Sequence, residues 1–99
     1  MDEFESKLLS FVKGVEKIRR KHYRDNGLGK PIPITLNYGR KFIRMQVGED
    51  AMWGFVDIAT GDILAGRSWA HPADGTRGNI FDKKNGLGLA GPFGPHYIR

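Results

Sequence analysis

Phe42, Arg44, Trp53 and Phe55 are the residues whose types and spacing come nearest to chemistry. The run Lys41 to Val47 (KFIRMQV) alternates apolar and polar side chains, and Met52 to Ile58 (MWGFVDI) is rich in β-formers, so the two read as paired strands. A four-residue turn, Gly48-Glu49-Asp50-Ala51, pairs Val47 with Met52, Met45 with Gly54, Ile43 with Val56 and Lys41 with Ile58. Directly opposite residues share a face. Ile43, Met45, Val47, Met52, Val56 and Ile58 then line one side, and Phe42, Arg44, Gln46, Trp53, Phe55 and Asp57 the other. Aromatic rings interleaved with cations are a surface on which unpaired bases stack while arginine meets phosphate. Arg40 and Lys41 extend the charge of that face.

A second basic set lies near the N-terminus. Lys13, Lys17, Arg20 and Arg24 fall within about 60° of one another on a helix and form a ridge about 16 Å long, suited to a phosphate backbone. A third set, Arg67, Trp69 and His71 with Arg77 and Asn79, would line a pocket for a small nucleotide beside the sheet.

Other chemistries lack their residues. There is no cysteine, hence no disulfide, thiolate metal site or cysteine nucleophile. His22, His71 and His96 have no second ligand at metal spacing, and Asp57, Asp62, Asp74 and Asp82 show no acid/base pairing pattern. Gly27-Leu28-Gly29-Lys30 and Gly86-Leu87-Gly88 lack the strand and helix that frame a phosphate loop. We expect no catalytic residues, no metal and no cofactor.

These sets need a scaffold. Phe4, Leu8, Phe11, Val15, Ile18 and His22 recur every three or four residues, which predicts an amphipathic helix over about residues 3–25. Acidic residues lie at its start, Lys17, Arg19, Arg20, Lys21 and Arg24 at its end, and Asn26-Gly27 stops it. Gly14 weakens it by about 1 kcal/mol against alanine. A connector (GLGKPIP) leads to strands over about residues 34–70, the first at 34–38, and the apolar sheet face seats the helix. Residues 71–99 read as loop and an extended Gly/Pro-rich tail. The expected fold is α+β: one N-terminal amphipathic helix on a small antiparallel β-meander, a single domain over 1–99. In one arrangement the second sheet face stays open; in the other Phe81, Leu87, Leu89, Phe93, Tyr97 and Ile98 cover it.

The net charge of +5 favours a polyanionic partner. No apolar run approaches the roughly 20 residues of a membrane span. The acidic start MDEFESKLL is unlike a secretory signal, which points to the cytoplasm and to no membrane partner.

Lys41-Phe42-Ile43-Arg44, Phe55-Val56-Asp57, Thr60-Gly61-Asp62-Ile63-Leu64, Trp69, Pro72 and Arg77-Gly78-Asn79-Ile80-Phe81-Asp82 together resemble a pattern in small accessory proteins of tailed bacteriophages. The resemblance covers residues 41–82. It implies a phage or prophage protein acting in the host cytoplasm, and it carries over no site residues. The expectation is a non-enzymatic phage accessory protein that binds nucleic acid, single-stranded by preference, through its basic-aromatic surface. The alternatives are a protein-binding inhibitor of a host enzyme or a structural component, and a small-nucleotide binder. An uncovered strand edge or aromatic face leaves room for a homo-oligomer.

Overall fold

The apolar stripe becomes helix α1, Glu3–Asp25, in the computed structural model, which describes residues 2–96. Asp2 caps its start, its carboxylate accepting from the Glu5 N–H at 2.7 Å and satisfying one of the donors a helix leaves open. Leu8, Phe11, Val12 and Val15 are buried along one side. Gly14 has a packing reason: a Cβ there would lie 2.5 Å from Leu87 Cδ1, so the weak helix former is the seat of a later segment.

Four antiparallel strands follow: β1 (Ile34–Tyr38), β2 (Phe42–Val47), β3 (Ala51–Asp57) and β4 (Ile63–Leu64), in the order β1-β2-β3-β4. This is the α+β meander that the alternation predicts. Ile43 opposes Val56 and Met45 opposes Gly54, as the hairpin geometry requires. Beyond Met45 the register shifts, so that Gln46 faces Met52 and Val47 faces Ala51. The turn therefore has three residues rather than four, with Gly48 in the left-handed region at φ 64°. Trp53 is the extra residue of a β-bulge, which turns it to the opposite side of the sheet.

The expected positions of Trp53 and Met52 are thereby corrected. Trp53 is 2% exposed and belongs to the core under α1. Its ring meets Phe11 edge-on at 5.6 Å, and its Nε1–H donates to the Gly91 carbonyl at 2.7 Å. Met52 leaves the helix side and packs against Gly66. With Leu8, Phe11, Val15, Ile43, Met45, Val56, Ile63 and Ile80, Trp53 forms one apolar cluster between helix and sheet. Each such side chain contributes about 1.5–3 kcal/mol by leaving water.

The tail does not cover the second sheet face. It lies along α1, parallel to it. Asn85 donates to the Lys7 carbonyl, Leu87 sits at Gly14, Arg19 donates to the Pro92 carbonyl, and the Phe93 ring meets His22 edge-on at 5.1 Å. Helix positions 7, 14, 19 and 22 thus meet tail positions 85, 87, 92 and 93 in the same order. Phe81 packs beside Phe4, with ring centroids 6.2 Å apart. Tyr97 and Ile98 lie outside the described residues.

Candidate nucleic-acid interface

The sheet face turned away from α1 follows from the register. Asn37 opposes Arg44, and Arg44 opposes Phe55; Thr35 opposes Gln46, and Phe42 opposes Asp57. Cover comes from the loop after β4, not from the tail. Gly66 bridges to Pro72, and the Arg67 and Ser68 N–H groups both donate to the His71 carbonyl. This tight loop brings Trp69 over the sheet.

Arg44 and Trp69 form the centre of the face. The guanidinium lies 4.2 Å from the ring centroid, and its Nη1 donates to the Trp69 carbonyl at 3.2 Å. Nε is buried and meets no acceptor among the described residues, so stacking rather than hydrogen bonding holds that edge. Phe42 and Phe55 meet edge-on at 6.1 Å, and the Lys41 ammonium stands 5.4 Å from the Phe42 ring centroid. Beside them is a cleft of about 200 Å³ walled by Arg40, Lys41, Phe42 and Arg44, floored by Phe55 and closed by Ala70. Its wall contains three cations and no carboxylate.

The residues expected at this surface separate into three groups. Arg40, Lys41, Phe42 and Arg44 come together as the spacing predicts. Phe55 lies on the predicted face but is 3% exposed, a floor rather than a platform. Trp53 is on the other side altogether, moved there by the bulge. Trp69, assigned from sequence to the alternative pocket, takes its place and is 40% exposed.

The residues assigned to the alternative pocket come from two segments. Arg67, Trp69 and His71 are on the loop tip. Arg77 and Asn79 run alongside β4, where the Arg77 N–H donates to the Ile63 carbonyl. The Asn79 amide donates to the Thr60 carbonyl at 2.8 Å and to Asp62 Oδ1 at 3.0 Å, closing the turn before β4. Its side chain braces that turn.

The helix ridge forms as predicted: Lys13, Lys17, Arg20 and Arg24 are all exposed. Since α1 covers one sheet face and Trp69 the other, ridge and Arg44 cleft are on opposite sides of the molecule, not on one continuous surface. The ridge also contains a carboxylate. Asp25 accepts from Lys21 at 2.6 Å and lies 3.7 Å from Arg24. The hydrogen bond from Lys21, with the charges of Lys21 and Arg24 behind it, holds the Asp25 carboxyl below its ordinary value.

Residues 6–90 match a family of unknown function, DUF7717. The chain belongs to this family. No curated protein and no solved structure matches it. The DUF7717 match takes in most of α1, all four strands and the Trp69 loop, so the Arg44–Trp69 pair is inside the family's unit. Among the described residues no helix is long and apolar enough to cross a membrane, and no group of three or more His, Cys, Asp or Glu is placed to hold a metal ion.

Proposed function

We propose that this DUF7717 chain is a non-enzymatic nucleic-acid-binding module that takes a single strand across the face formed by Arg40, Lys41, Phe42, Arg44 and Trp69. The observation that supports this reading is the Arg44 guanidinium stacked 4.2 Å over Trp69 beside a cleft whose charged wall residues are all cations. A flat cationic stack offers a base a π-surface and a phosphate a charge in one place. Single strands are favoured because a duplex keeps its base faces stacked on each other. The bacteriophage likeness of residues 41–82 adds the host cytoplasm as the setting of this proposal.

The test is a fluorescence titration with single-stranded and duplex oligonucleotides at low and high salt. Trp69 is the reporter, because Trp53 is buried. Saturable quenching by single strands, lost in Trp69→Phe and weakened by salt, supports the reading. Absence of binding at low salt overturns it.

A protein partner is the second reading, favoured by one observation. β1 is an edge strand with a single neighbour, and Tyr38 at its end is 59% exposed. Edge strands recruit further strands. Pull-down from nuclease-treated lysate separates the readings: a stoichiometric protein that survives nuclease, and is lost with a proline at Leu36, favours this one.

A further inference from the structure

A cavity of about 300 Å³ separates α1 from the connector that leads into β1. Its helix wall is Glu16, Arg19 and Arg20; its other wall is Lys30 and the run Pro31-Ile32-Pro33. That volume is at the lower end of the range that small-molecule sites occupy, about 300–1,000 Å³.

Arg19 makes this cavity unusual. It is 3% exposed, sits in the apolar stripe of the helix, and carries a permanent charge. Its partners are the Pro92 carbonyl at 2.9 Å, the Ile32 carbonyl at 3.2 Å and the Tyr23 ring at 5.7 Å. Among the described residues no carboxylate lies within ion-pair distance of it, nor of Arg20 or Lys30. Glu16, the single acid in the wall, is turned to the Ile34 N–H at 3.2 Å. The cavity thus has three cations to one engaged carboxylate. A buried cation held by two carbonyl dipoles and a ring face lacks a counter-charge, and an anion in the cavity would supply it.

The apolar wall is preorganised. Pro31 and Pro33 have fixed φ and no N–H to solvate. Arg19 pins the wall at Ile32, and Glu16 pins it at Ile34. A flat hydrophobic body can lie on such a wall with little ordering cost.

We propose that this cavity binds a nucleoside 5′-monophosphate group, with the phosphate met by Arg20 and Lys30 under the field of Arg19, and the base laid against Pro31 and Ile32. The group has two sources, a free mononucleotide or the 5′-phosphorylated end of a strand. The proposal does not rest on the sheet-face reading, because Arg44 and Trp69 lie outside the cavity.

The experiment is calorimetry and amide-shift mapping on the full chain. The probes are the four ribonucleoside 5′-monophosphates, the corresponding nucleosides, and tetranucleotides with and without a 5′-phosphate. At least one monophosphate should bind saturably, shift the amides of Arg20, Ile32 and Ile34, and bind at least tenfold more tightly than its nucleoside. Both altered side chains of the double variant Arg20→Ala/Lys30→Ala are exposed, so it should fold with an unchanged melting temperature and bind at least tenfold more weakly. Binding of the 5′-phosphorylated tetranucleotide as tight as the free nucleotide assigns the strand end; binding of the free nucleotide alone assigns the small molecule. Absence of saturation by all four monophosphates and by the 5′-phosphorylated tetranucleotides overturns the proposal, as does an unchanged affinity in the double variant. Trp69→Ala should leave this binding intact, which keeps the outcome separate from that of the sheet-face titration.

Discussion

The two faces of one sheet are built from the same strands and serve opposite ends. Under α1, Ile43, Met45, Trp53 and Val56 meet Leu8, Phe11 and Val15 in a buried apolar layer. On the other face Arg44, Phe42 and Phe55 meet a short loop and keep cations at the rim of a cleft. One tryptophan belongs to each. Trp53 is enclosed and hydrogen-bonded; Trp69 is half open and stacked on a guanidinium. The difference shows how a single bulge allots residues: without it, Trp53 would have stood beside Arg44 and Phe11 of the helix would have lost the ring it meets edge-on.

Stability should divide along that line. Phe11→Ala removes a fully buried ring that touches Trp53 and should cost about 3–5 kcal/mol, much of the total stability of a domain this size. Urea denaturation measures it. Trp53→Phe leaves the Gly91 carbonyl without its donor and should cost about 1–3 kcal/mol. Trp69→Phe should cost less than about 1 kcal/mol. Equal losses at the two tryptophans would abolish the distinction between the faces.

Binding should divide the other way. Trp69→Ala should lose about 1–3 kcal/mol of single-strand affinity, the value of one stacked base, while Trp53→Phe leaves affinity unchanged once folded. Arg44→Ala should weaken binding and lower the salt slope by about 0.7, one phosphate contact on a single strand. Lys17→Ala, on the far side of the molecule, should leave that slope as it was. If Lys17 carries the salt dependence and Arg44 does not, the interface is the helix ridge and the open face has another use.

Much of this arrangement was legible in the residues. The 3.6-residue stripe predicts α1, and alternation predicts β2 and β3, because burial on one side imposes those periods. Ile43–Val56 and Met45–Gly54 follow from counting outward from the turn. The bulge does not, since a three-residue and a four-residue turn fit Gly48-Glu49-Asp50-Ala51 equally well and one extra residue reverses Trp53. The course of the tail is also hidden, because Gly86 to Pro95 has no period. Gly14 offered the clue, a small residue in a helix where a neighbour approaches. Arg19 offered another: four residues after Val15 and eight after Phe11, it falls within the apolar stripe and so had to be buried and partnered. Grouping it with the basic helix end concealed the wall it makes with the connector.

The smallest effect concerns charge on the two sides. The Arg44 cleft has no acid in its wall, whereas the ridge has Asp25 between Lys21 and Arg24. Its folded pKa lies below the ordinary value of 3.8, chiefly through the Lys21 hydrogen bond. A depressed carboxylate contributes stability above its unfolded pKa and loses it as pH falls through the folded one. The contribution is therefore complete at neutral pH and disappears only below pH 3.8. Because the pair is exposed, the effect on unfolding is slight, and the side-chain titration is the sharper measurement. The Asp25 carboxyl resonance should titrate below 3.8 in the native chain and move up toward that value in Lys21→Ala. If it does, part of the ridge's charge is already spent on Asp25, and Asp25→Asn should strengthen any residual oligonucleotide binding on the helix side without touching the Arg44 face. A titration unchanged by Lys21→Ala would mean that Lys21 is not engaged with Asp25 and keeps its charge available on the ridge, which would bring the helix side closer to the cleft as an anion-binding surface.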